Sequence, residues 1–238
     1  MSSDQAAARL TSQLERARRL HSGREGSAPR LREWRALATW QSNRLERTYP
    51  DLADHPRYRL AVQFFLEDLY GPKDFSGRDA DIHRAAPMIV RMLPADVVDT
   101  VADAMELNAL SHELDEQLLH ELRPLTDPLE VDAETYAEAY RRCDNEPERR
   151  RQVELINEVG RDLDRIVRKR FIYTALKMMR RPAKMAGFGE LQQFLETGFE
   201  AFSAMGGADY FLETVAARET ALMKRLFAGE PDPFGRPL

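Results

Sequence analysis

Apolar residues recur every three to four positions along nearly the whole chain, the spacing of one face of an α-helix. Segments with this period run over about 3–21, 30–48, 56–70, 80–93, 95–123, 133–143, 147–181, 188–205 and 207–228. Between them stand SGREGSAP, YPDLADHP, YGPKDFSG, Pro94, RPLTDP, NEP, RPAKMAG and MGG, built from the residues that end helices and set turns. No segment joins β-branched enrichment to two-residue alternation. The pattern predicts an all-α fold, a single compact multi-helix bundle of about eight or nine helices with no sheet. Residues 1–28, anchored only by Leu10, Leu14 and Leu20, are expected to form a loosely attached helical arm. Residues 29–228 make one all-α domain, and 229–238, with three prolines, an extended tail.

Local signals refine several boundaries. Asp132 caps the helix at 133–143, but Thr135 stands where a capping box carries Glu or Gln, so the box reads as incomplete. The helix at 56–70 is apolar on two sides: Tyr58, Val62, Phe65, Leu66 and Leu69 on one, Leu60 and Phe64 on the other. A two-faced helix is central or shared with a partner, which makes Leu60 and Phe64 interface candidates. Gly71 and Pro72 stop that helix, and Asp79 is placed to cap the next. The intervening loop, with Tyr70, Lys73, Asp74, Arg78 and Asp79, reads first as turn and capping chemistry. As a pocket lining it is the nearest ligand-binding alternative.

The same stretch, FFLEDLYGPKDFSGRD, taken with FLETGFEAFSAMGGADYFLETVAARE near the C-terminus, resembles a family of uncharacterised proteobacterial proteins that share an FFLxDLYGPxDFxxRD-like block. The resemblance covers about residues 30–228 and implies no activity, cofactor or site residue.

The chain has 238 residues, 43% of them hydrophobic and 32% charged, the composition of a helix-rich globular protein. No apolar run is long enough for a membrane span, and the polar N-terminus lacks a signal peptide's apolar stretch. Lone Cys143 excludes an internal disulfide and any Cys pair for metal. A cytoplasmic address is expected. The net charge of −5 argues against general nucleic-acid binding, yet 141–184 carries 14 Lys/Arg against 7 Asp/Glu. Such asymmetry marks either an anionic partner or an internal match with acidic helices.

Candidate chemistry is sparse. On the helix at 95–123, Asn108, His112 and Asp115 flank the core stripe at helical spacing, bringing an imidazole near a carboxylate. A di-iron bundle needs Glu-x-x-His on two helices; the chain contains none, so neither a metal nor a cofactor is expected. There is no nucleophile elbow and no phosphate loop. Arg218 falls in the stripe of Phe211, Val215 and Leu222, and Arg170 in that of Leu163 and Val167. A guanidinium there needs a carboxylate, with Glu219, Glu196 and Glu200 as the candidates for Arg218. Gly198 in the stripe of 188–205 predicts a close helix crossing.

These features favour a non-enzymatic helical protein that binds a protein partner or itself. One alternative is an enzyme or carrier holding a small anionic ligand or metal through His112, Asp115, Arg218 and the 71–79 loop. A second is a binder of an anionic polymer through Arg161, Arg165 and Arg168.

Overall fold

Helices form where the apolar spacing, caps and breakers agree. The computed structural model describes residues 2–22, 28–69, 76–127 and 130–235. In order these form α1 (Ser3–Ser22), α2 (Ala28–Thr48), α3 (Pro50–Asp54), α4 (Arg59–Phe64), a π-turn (Phe65–Leu69), α5 (Ser76–Met92), α6 (Ala95–Leu122), α7 (Ala133–Arg142), α8 (Glu146–Val167), α9 (Arg170–Met185), α10 (Gly189–Met205) and α11 (Asp209–Ala228). The described residues thus form an all-α fold of eleven α-helices rather than eight or nine. One extra helix is α3, inside YPDLADHP, where Pro50 occupies the first turn with no N–H to lose. The other comes from 147–181, which breaks at extended Lys169 (φ −82°, ψ 94°). No Gly or Pro marks that break. α9 then continues through Pro182 to Met185.

The α7 capping box does close. The Thr135 amide donates to Asp132 Oδ1 at 2.8 Å and the Asp132 amide to Thr135 Oγ1 at 3.2 Å. A threonine hydroxyl is an adequate acceptor in place of Glu or Gln. Asp79, in contrast, is not a cap, because α5 already begins at Ser76.

Long α6 is the axis of the bundle. Its N-terminal half packs Val98, Ala102 and Met105 against α1 and α5, and Leu110 and Leu114 meet Leu155 of α8. Its last turns bury Leu118, Leu119 and Leu122 against α2, α7 and α11. A further cluster joins Tyr49, Leu52, Tyr58, Val62 and Phe64 to Phe202, Met205, Phe211 and Leu212.

Three expectations change at this level. α1 is no loose arm: Ala6, Leu10, Leu14 and Ala17 are buried. Arg9 of α1 also reaches Asp99, Asp103 and Glu106 of α6, and Arg16 reaches Glu113. The tail folds back through Phe234, whose ring meets Trp40 edge-on at 5.4 Å. Phe64 is core, 3% exposed, while Leu60 stays exposed. The Phe64 ring fills the space left by Gly198, where an added Cβ would come 2.9 Å from Phe64 Cζ. The close crossing expected at Gly198 is made, the structure supplying α4 as the partner of α10, and it removes Phe64 from the surface.

Candidate functional site

Two groups of sequence-derived candidates lie at opposite ends of a polar seam along α2. At one end Asp115 accepts from Gln41 Nε2 at 3.0 Å, and Gln41 lies within hydrogen-bonding reach of the Tyr136 hydroxyl. His112, half-buried, stands with its ring 6.4 Å from that of Trp34. At the other end Arg218 grips Asp51 through two parallel bonds of 2.7 and 2.8 Å and donates to Thr48 O at 2.9 Å. Between them, Arg44 donates to Glu219 Oε1 at 2.5 Å and the Tyr49 hydroxyl donates to the same oxygen at 2.7 Å.

Arg218 is therefore paired, but with Asp51, and its side chain keeps 16% exposure. Glu219, one residue on, points about 100° around the helix and takes Arg44 and the Tyr49 hydroxyl, while Arg218 lies 5.5 Å over the Tyr49 ring. Glu196 pairs with Arg180 of α9 instead. The sequence reading missed Gln41, Arg44, Tyr49 and Asp51. Arg44 was accessible to the argument used for Arg218, since Leu37, Gln41, Arg44 and Thr48 recur at helical spacing.

Electrostatically the seam is matched: each guanidinium meets a carboxylate. The Asp51 carboxyl is held below its ordinary range, chiefly by its hydrogen bond from Arg218. The Tyr49 phenol is pushed up, first by burial and then by Glu219. Burial likewise raises Tyr136 and Tyr140. Such a seam rigidifies the junction of α2, α3 and α11 and leaves no evident acceptor role for substrate.

Tyr70, Lys73 and Asp74 lie outside the described residues. Arg78 and Asp79 lie in α5 with their side chains outside the description, as does the side chain of Arg170. Asp81 is buried and bridges to Arg84, a structural ion pair within one helix.

The basic 141–184 segment is largely matched from within. An open cavity of about 620 Å³ is lined by Arg161, Arg165 and Arg168, but also by Asp103, Glu158, Asp162, Asp164 and Asp209. Arg165 pairs with Asp162 and Arg168 with Asp164. Carboxylates outnumber guanidiniums there, the opposite of a track for a polyanion. Cys143 is half-buried and its thiol is pushed up to about 11, chiefly by burial, so it is protonated at neutral pH and a poor nucleophile. Among the described residues no group of three or more His, Cys, Asp and Glu could hold a metal.

α9 differs from the other helices. Ile172, Tyr173, Leu176 and buried Ala183 form its inner side, with Tyr173 stacked on Phe199 of α10 at 5.0 Å. Its outer side carries Phe171, Met178 and Met185, which are 67%, 74% and 89% exposed. Seven-residue spacing sets these three along one line, with Ala175 and Pro182 between them. Exposed Lys177, Arg181 and Lys184 follow one flank, and the helix contains no Asp or Glu. Lys177 rests 4.2 Å over the Tyr173 ring.

The fold and these surfaces define, over the described residues, an all-α protein with a charge-matched seam at α2, α3 and α11 and an exposed apolar line on α9. The chain belongs to the family described as Domain of unknown function (DUF8198), whose model matches residues 20–233. Most of α1 precedes the matched span. No curated protein and no solved structure matches the chain. Among the described residues no helix is long and apolar enough to cross a membrane.

Proposed function

We propose that this protein is a non-enzymatic, cytoplasmic bacterial docking module. In this reading the outer face of α9 receives an acidic amphipathic helix of a protein partner. The observation that carries the reading is the exposed line of Phe171, Met178 and Met185. Leaving such a stripe in water costs free energy that burial against a partner's apolar side chains recovers, and methionine adapts its shape to them. Lys177, Arg181 and Lys184 beside the stripe favour carboxylates on the partner. A second copy laid against the same face would set these cations against their own kind, which disfavours symmetric self-association. The mechanism is packing of one amphipathic helix against the apolar line of another, with the partner's acidic flank setting orientation.

A photo-crosslinking residue placed at position 178, used in cells, tests this. The expected adduct joins α9 to an acidic segment of another protein and disappears when Arg181 and Lys184 are both changed to Glu. An adduct to a second copy would replace the reading with self-association. Co-flotation with anionic vesicles would replace it with a lipid surface. No adduct at all would sink it.

A further inference from the structure

The apolar line on α9 is built largely of thioethers. Met178 and Met185 are 74% and 89% exposed, and Met179, about 100° around the helix from Met178, is 40% exposed. Interior methionines are the reverse: Met105, Met205 and Met223 are 7%, 0% and 3% exposed. A leucine would supply similar apolar contact with less side-chain entropy to lose on docking. What methionine adds is a soft sulfur atom that takes up oxygen.

An accessible thiolate is ordinarily the first group that an oxidant takes. Here the lone cysteine, Cys143, is half-buried, and burial keeps its thiol protonated at neutral pH. Met178 and Met185 are therefore the sulfur-bearing residues most open to solvent among the described ones. Both also lie on the line that the docking reading of α9 requires to be apolar.

We infer that Met178 and Met185 form a modification site, oxidised by peroxide to sulfoxides, and that this oxidation switches α9 from docking to non-docking. The sulfur lone pair attacks one peroxide oxygen, the O–O bond breaks and an S–O bond forms. The other oxygen leaves as water, carrying both protons. Sulfur gives up two electrons and the peroxide takes them. Each sulfoxide places a hydrogen-bond acceptor on the face that contact must dry. Of the three exposed anchors only Phe171 then stays apolar. Lys177, Arg181 and Lys184 are unchanged, so an acidic flank is still attracted while its apolar side finds less to bury. The switch rests on the docking reading of α9; the modification site does not.

Peptide-mass mapping of the full chain during a hydrogen peroxide time course tests the site. Met178 and Met185 should gain oxygen at least about tenfold faster than Met105, Met205 and Met223, with helicity unchanged. Equal rates at all five overturn it. For the switch, the probe is a fluorescent synthetic helix with a leucine stripe and glutamate flanks, titrated by anisotropy. Oxidised wild type should bind it about tenfold more weakly than untreated protein. The two epimer-specific methionine sulfoxide reductases with dithiothreitol should restore binding. Met178→Leu/Met185→Leu should bind equally before and after peroxide. Unchanged binding by oxidised wild type overturns the switch and leaves docking standing. A loss that persists in the double variant assigns the effect to other residues and overturns it too. No binding by untreated protein sinks the docking reading and the switch with it, while the oxidation rates still decide the site.

Discussion

Arg218 of α11 and Asp51 of α3, 167 positions apart, form a two-pronged ion pair at 2.7 and 2.8 Å. It clamps a five-residue helix whose Leu52 is buried in the core. With Asp51 half exposed, solvent screens the pair. Arg218→Ala should still cost about 1–3 kcal/mol, because the bond to Thr48 O goes too. The lowered carboxyl of Asp51 gives stability that is present above its unfolded pKa and lost as pH falls through the folded value. The difference in urea midpoint between wild type and Asp51→Asn should therefore shrink at acid pH below the ordinary Asp range. A difference constant down to pH 2 would show that the pair contributes nothing.

Glu219 serves two donors, Arg44 and Tyr49, inside the seam. Glu219→Leu alone should cost about 3–5 kcal/mol, since it strands a buried guanidinium. Adding Arg44→Met should recover much of that loss, giving a coupling of more than about 1 kcal/mol in a double-mutant cycle by chemical denaturation. Additive losses would mean the two side chains are not a unit.

Alkaline titration reads the same interior. Tyr49, Tyr136 and Tyr140 all have phenols raised by burial. A raised folded pKa contributes stability that is full below pH 10 and lost as pH rises beyond it. Absorbance at 295 nm should show these tyrosines ionising in one cooperative step that coincides with loss of helix. Smooth titration of all seven tyrosines with helicity intact would contradict their burial.

Phe64 and Leu60 should behave as opposites. Phe64→Ala should cost about 3–5 kcal/mol, whereas Leu60→Ser should stay within about 0.5 kcal/mol. Gly198→Ala should destabilise despite gaining about 1 kcal/mol of helix propensity, because its Cβ would press on the Phe64 ring. A stabilised Gly198→Ala would mean that ring can move aside freely.

Leu10, fully buried on the inner side of α1, should cost about 2–5 kcal/mol when changed to Ala. Hydrogen exchange should show the amides of α1 protected together with α6 in wild type and released in Leu10→Asp. Unprotected α1 amides in wild type would restore the loose-arm reading.

Composition and helical periodicity determined the all-α class and most helix positions, because the apolar stripe, the caps and the Gly and Pro breakers are local properties of the chain. The same wheel arithmetic placed Arg218 where it needs a partner and Gly198 where helices approach. Tertiary structure alone decided which carboxylate meets Arg218, since Asp51 lies 167 positions away and no local pattern encodes that distance. It also decided how far the two-faced helix is covered, burying Val62 on one side and Phe64 on the other while leaving Leu60 in water. The break at Lys169 followed no local signal, yet it frees α9 to lie on α10 with Phe171, Met178 and Met185 outward. Arg149 shows the limit from the other direction: its charge reads as one of many in a basic run, and only three-dimensional packing shows it buried over the Tyr140 ring, with no carboxylate at ion-pair distance among the described residues.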